Sequence, residues 1–114
     1  FVARWTVYHV VQLRRTILQA LDKRGFRFIE VISPCPTLYE RRNRLGDGLT
    51  RMRFFKDNAE VKPGAETKTV GISFQDKIVV GKFVDLEAPT YLDAMNERLA
   101  AVLGNEYKRY EGIR

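Results

Sequence analysis

The feature that most constrains this chain is the succession of a strand, a helix and a second strand between Phe1 and Ile32. Phe1 to Arg4 reads as the end of a short strand. Val10, Leu13, Ile17, Ala20 and Leu21 then recur at helical spacing opposite Gln12, Arg15, Gln19 and Lys23, which predicts an amphipathic helix over roughly residues 7 to 24. Thr6 offers an N-cap hydroxyl and Gly25 a residue free to turn left-handed, so both ends carry a stop with a physical cause. Phe26 to Ile32 is aromatic and β-branched, and apolar on both faces apart from Arg27 and Glu30, as in a strand covered on each side. A βαβ unit of this kind implies a parallel sheet with a right-handed crossover, in which ligands gather beyond the carboxyl ends of the strands. Ser33-Pro34-Cys35-Pro36-Thr37 occupies that position.

The remainder continues the α/β pattern. Leu45, Leu49, Met52 and Phe55 predict a helix face, with Asp47 at its start and Asn58 able to end it. Glu60 to Thr69 contains Pro63-Gly64 and lacks apolar periodicity, so it reads as a loop. Val70 to Phe74 and Lys77 to Val84 read as a strand pair joined at Gln75-Asp76. Glu87-Ala88-Pro89 introduces a last helix carrying Tyr91, Leu92, Met95, Leu99 and Leu103, stopped by Gly104. Asn105 to Arg114 is polar and reads as a docking tail or a loose end. The expected fold is therefore a βαβ unit of a mostly parallel sheet, followed by a helix, a strand pair and a C-terminal helix. A chain of 114 residues suffices for one domain and one modest core. It opens on Phe1 and at once reads as structure, which suggests a piece of a larger protein.

No apolar run approaches the roughly 20 residues needed to cross a bilayer, and a lone cysteine cannot form an internal disulfide, so a cytoplasmic, thiol-reducing setting is expected. The net charge of +6 suits an anionic partner. Arg41, Arg42 and Arg44 concentrate that charge just after Cys35, where they could dock an acidic protein or a phosphate group, or simply pair with Glu40 and Asp47 on a solvated loop. Cys35 has two readings. A single cysteine is commonly a small buried hydrophobe, but Pro34 and Pro36 fix the backbone on both sides of it, as a thiolate ligand requires. Pro36 removes one N–H donor near that sulfur, and Thr37 is a candidate replacement. Gly46-Asp47-Gly48 is the opening of a helix, where an acidic residue favours the positive end of the dipole. His9 lacks a triad or metal-site companion and is a packing or surface residue, and Tyr8, Tyr91, Tyr107 and Tyr110 are core or interface material.

The run Gly25-Phe26-Arg27-Phe28-Ile29-Glu30-Val31-Ile32-Ser33-Pro34-Cys35-Pro36-Thr37, followed by Arg41-Arg42-Asn43-Arg44, resembles a segment of 2-oxoacid:ferredoxin oxidoreductase beta subunits. There a strand runs into an SPCPT turn. Val80-Gly81-Lys82-Phe83-Val84-Asp85 and Ala88-Pro89-Thr90-Tyr91 resemble the rest of the same C-terminal region. The resemblance implies an oxidoreductase that uses thiamine diphosphate and Mg2+ to decarboxylate a 2-oxoacid, passes electrons through a [4Fe-4S] cluster to ferredoxin, and forms an acyl-CoA from coenzyme A. It implies that Cys35 is one cluster ligand, and that the diphosphate site and the other cysteines lie in an upstream part of the subunit. It further implies an alpha subunit as partner. Glu40-Arg41-Arg42-Asn43 is closer to the 2-oxoglutarate branch than to the pyruvate branch. No residue of this chain is then a candidate acid, base or nucleophile. A basic nucleic-acid-binding module is the competing reading, since a pI near 9.7 and clustered arginines fit a phosphate surface, but the chain carries no recognisable binding motif.

Overall fold

The computed structural model describes residues 1–73 and 77–112. Strand β1 (Val2–Thr6) is followed by helix α1 (Val10–Asp22), strand β2 (Phe28–Ile32), the short helix α2 (Tyr39–Asn43) and helix α3 (Gly48–Asn58). Strands β3 (Ala59–Val61) and β4 (Ile78–Val84) and helix α4 (Tyr91–Leu103) complete the chain, with a single 3-10 turn at Gly104–Glu106. The sheet order is β2-β1-β4-β3. β1 runs parallel to β2 and β3 parallel to β4, while β1 and β4 are antiparallel, so the sheet is mostly parallel, as expected. No helix among the described residues is long and apolar enough to cross a membrane.

Burial alternates along β1 in the way a pleated strand dictates. Phe1, Ala3 and Trp5 are buried; Phe1 and Ala3 meet Ala20 of α1, and Trp5 meets Phe55 of α3 with Ile78 and Val80 of β4. Arg4, between them, turns to the other face. There its Nε meets Glu30 of β2 at 2.5 Å, its Nη1 donates to the Val70 carbonyl at 2.5 Å, and the guanidinium lies 5.6 Å from the Phe83 ring centre.

Several expectations need correction. The strand that pairs with β4 is β3, while residues 70–73 form no strand, the Val70 carbonyl accepting from Arg4, and Phe74 lies outside the described residues. Gln75-Asp76, the expected joint, lies outside the described residues. Residues 60 and 61, expected in a loop, pair with Val79 and Val80 instead. The helix face that meets the sheet is Leu13, Thr16 and Ala20, whereas Val10, Ile17 and Leu21 are exposed. The cause is polar: the Trp5 indole N–H donates to Thr16 Oγ1 at 2.8 Å, and this fixes the rotation of α1. Helix α1 also starts later than expected, with His9 at its N-cap, and Lys23 rather than Gly25 closes it. Gly25 does adopt φ +90, and a Cβ there would come within 2.9 Å of the Ala88 carbonyl oxygen. β2 is an edge strand with Phe28 and Val31 exposed, so it is not covered on both sides.

Helix α4 follows the sequence closely. Thr90 and Asp93 form a reciprocal capping box, and Gly104 closes the helix with φ 55. This helix belongs to an elongated molecule of 65 × 29 × 24 Å. Ion pairs tie its root to the end of α1: Lys23 with Asp85 at 2.9 Å, and Arg24 with Asp93 at 2.8 Å. The tail is not loose at residue 110. Buried Asn96 binds it, and Arg109 reaches Asp93 at 3.0 Å.

Candidate functional site

Thr6 and Ile32 lie opposite each other at the carboxyl ends of the parallel pair β1 and β2, and the Val7 N–H donates to the Ile32 carbonyl at 3.0 Å. The chain leaves that edge as Ser33-Pro34-Cys35-Pro36-Thr37, whose two prolines restrict the backbone on each side of the cysteine. Cys35 is therefore placed beyond the strand ends, as expected, and it is exposed rather than packed in the core. The Glu40 N–H donates to the Cys35 carbonyl at 3.2 Å and closes the turn into α2.

Hydrogen bonds from the backbone N–H groups of Tyr39 and Leu38, and then from the Thr37 hydroxyl, hold the Cys35 thiol below its ordinary pKa, against the opposing effects of desolvation and the Glu40 carboxylate. The Thr37 oxygen is 3.9 Å from Sγ. These donors replace the N–H that Pro36 lacks. Thr37 was expected among them; the Leu38 and Tyr39 amides were not, because no side-chain pattern announces a backbone donor. A thiolate is the form that binds iron or zinc, so the chemistry of Cys35 fits one ligand of a metal cluster. Among the described residues no group of three or more His, Cys, Asp or Glu could hold a metal ion.

Beside the turn is a cleft of about 210 Å3 lined by Ile32, Ser33, Pro34, Tyr39 and Phe55, together with a buried ion pair. Glu40 is only 2% exposed and accepts from Arg51 Nε at 3.2 Å. Arg51 is itself buried, its guanidinium 4.2 Å from the Phe54 ring centre. Glu40 Oε2 has no hydrogen-bond partner among the described residues. The periodicity leaves Arg51 off the apolar face of the helix, and Glu40 reads as a candidate partner for the arginines of a solvated loop. The one available signal was Phe55, four positions after Arg51 and so on the same helix face.

Arg41, Arg42 and Arg44 are exposed on and just after α2, and Arg44 is left-handed at φ 55. The local carboxylates are engaged elsewhere, Glu40 with Arg51 and Asp47 with Thr50, so the three guanidiniums form no ion pair among the described residues. Asp47 caps α3, accepting from Thr50 N at 2.8 Å, in agreement with its reading as a helix start. His9 is buried, 2.9 Å from Thr6 Oγ1 through Nδ1, and burial lowers its pKa, which fits a packing role.

No protein-family model matches the chain, and no solved structure matches it. Curated sequences do. The 2-oxoglutarate synthase subunit KorB of Methanocaldococcus jannaschii is 39% identical over 101 residues, covering 85% of this chain and 36% of that subunit. The subunit of the same name from Methanothermobacter thermautotrophicus is 42% identical over 89 residues, covering 78% of this chain and 31% of that subunit. That of Methanothermobacter marburgensis is 37% identical over 93 residues, covering 82% and 32%. The chain thus spans about a third of the length of the curated relatives it matches. Over most of its length the chain is thus similar to the C-terminal portion of the KorB subunits of 2-oxoglutarate synthase.

Proposed function

We propose that this chain is part of a 2-oxoacid:ferredoxin oxidoreductase acting on 2-oxoglutarate, and that within it Cys35 is one ligand of a [4Fe-4S] cluster. The observation that carries the reading is the Cys35 turn: a rigid, exposed, hydrogen-bonded thiol beyond the carboxyl ends of β1 and β2. Likeness to the KorB subunits supports the substrate class. In the complete enzyme a bound cluster supplies one-electron transfer. The task of this chain is to present a thiolate and to surround it with donors, which moderate the charge on sulfur.

In this reading the decarboxylation chemistry of thiamine diphosphate and Mg2+, and the acyl transfer to coenzyme A, are handled by the upstream part of the subunit and by an alpha subunit. Arg41, Arg42 and Arg44, exposed within ten residues of Cys35, form a docking surface for an acidic ferredoxin near the point of electron exit. The setting is cytoplasmic, where thiols stay reduced.

The test is anaerobic iron and sulfide analysis with an EPR spectrum of the complete enzyme, comparing wild type with Cys35→Ser. Loss or conversion of the [4Fe-4S] signal in a folded variant is the expected result. Unchanged cluster content and spectrum would leave Cys35 an ordinary surface thiol and sink the reading.

A further inference from the structure

Glu40 is the node of the Cys35 turn. Its N–H donates to the Cys35 carbonyl at 3.2 Å, its carbonyl accepts from the Leu45 N–H at 3.0 Å, and its side chain reaches across to Arg51 on α3 at 3.2 Å. Arg51 is held in turn between that carboxylate and the Phe54 ring. The turn is therefore tethered to a helix that packs on the core through Glu40.

Stability alone does not account for this choice. A buried ion pair roughly breaks even against apolar residues of similar volume, because removing two charges from water offsets their attraction. This pair is worse placed than most, since Oε2 is left without a partner among the described residues, and an orphaned acceptor costs about 1–3 kcal/mol. A leucine at position 40 would line the same apolar cleft without that penalty. What a leucine cannot do is fix direction. An ion pair at 3.2 Å orients α2 against α3 and, through the Glu40 N–H on the Cys35 carbonyl, orients the turn that carries Cys35.

We propose that the buried Glu40–Arg51 pair is the positioning device of the Cys35 turn, anchoring α2 to α3 so that the Glu40 N–H holds the Cys35 carbonyl and the turn keeps Sγ in one place. The inference rests on the reading of Cys35 as a cluster ligand. Neither residue touches the reacting atoms; both act through the geometry of the turn.

The experiment uses the complete enzyme with its cluster in place, and the double variant Glu40→Leu/Arg51→Met. That change removes one charge of each sign, so net charge near the cluster is preserved, and it replaces polar volume by apolar volume. Two quantities are read anaerobically: the rate of iron loss to a chelator and the cluster midpoint potential. With the turn loosened, iron loss rises about tenfold, the scale on which groups behind a metal ligand act, and the potential shifts as the surroundings of the sulfur change. The thermal midpoint stays near wild type. If iron loss and potential are both unchanged, the pair only fills space and the proposal is overturned. Should the double variant fail to assemble, Arg51→Lys keeps the charge but displaces the donor from the Nε position; faster iron loss supports the proposal there, and an unchanged rate overturns it. Cys35→Ser run alongside separates the two ideas. A cluster indifferent to Cys35→Ser removes the ligand reading itself, whereas a cluster lost in Cys35→Ser but indifferent to residues 40 and 51 removes only this inference.

Discussion

Asn96 and Tyr110 are joined in both directions: the Asn96 amide Nδ2 donates to the Tyr110 carbonyl at 2.9 Å, and the Tyr110 N–H donates to Asn96 Oδ1 at 3.2 Å. The Tyr107 hydroxyl donates to the same Oδ1. One buried side chain thus binds the segment after α4 at both Tyr107 and Tyr110. Asn96→Ala leaves the Tyr110 backbone without these partners, at a cost of about 1–3 kcal/mol in local stability. Hydrogen exchange at residues 107–110 should rise sharply while the sheet amides remain protected. Unchanged exchange there would mean that the tail is held by other contacts.

Gly81 sits in β4 at φ +140, and a Cβ on it would come within 3.2 Å of the Lys62 carbonyl carbon and the Pro63 nitrogen. Both neighbours are backbone and cannot swing aside. Gly81→Ala is therefore expected to cost about 1–3 kcal/mol through strain and to loosen the Lys62 N–H bond to the Val80 carbonyl. A denaturant titration of the two proteins measures this; equal midpoints would show that β3 can retreat freely.

Asp93 accepts from the Thr90 hydroxyl and backbone N–H and pairs with Arg24, which together pull its pKa from the ordinary 3.8 to about 2. A carboxyl depressed by folding stabilises the folded state above its unfolded pKa, and that contribution is lost as pH falls through the folded value. The window here runs from about pH 4 down to about pH 2. Thermal melts should show wild type more stable than Asp93→Asn at pH 6, with the gap closing across that window. A gap that does not vary with pH would indicate that the asparagine loses only hydrogen-bond geometry.

The exposed arginines 41, 42 and 44 are not neutralised by local carboxylates among the described residues, so they project positive charge from the surface beside Cys35. Replacing all three with alanine in the complete enzyme should slow ferredoxin-dependent turnover about tenfold or more at low salt, with dye-dependent turnover kept and the deficit shrinking as salt is added. Identical ferredoxin kinetics at every ionic strength would rule the surface out as a dock.

What could be read in the sequence was what short-range chemistry decides. Gly104 closes α4 and Asp47 opens α3 as read; the capping box of Thr90 and Asp93 is just as local but was not anticipated. The SPCPT turn was placed correctly because it follows directly from the end of β2. Failures came where a distant partner overrode the local pattern. Val10, Ile17 and Leu21 were expected on the buried face of α1 but are exposed, and the Trp5 indole bonds to Thr16, which the periodicity did not single out. Val70 looked like the start of a strand, but its carbonyl serves Arg4, 66 residues away. Glu40 and Arg51 carry charges that usually mean solvent, and only their mutual contact makes burial tolerable.

The central strand has consequences for the order in which this chain folds. Val2 stands opposite Phe28 on one side and Val84 on the other. The first pairing closes a short loop through a single helix; the second needs most of the sequence, and contacts so far apart along the chain are the slow ones. The β1–α1–β2 half can therefore form while β1 still shows a bare row of N–H and C=O groups toward the position of β4. Until β4 arrives that row is open to any other extended chain. Weakening β4, for instance at fully buried Val80, should therefore appear first as lost yield through aggregation during refolding, before it is seen as a lower melting temperature.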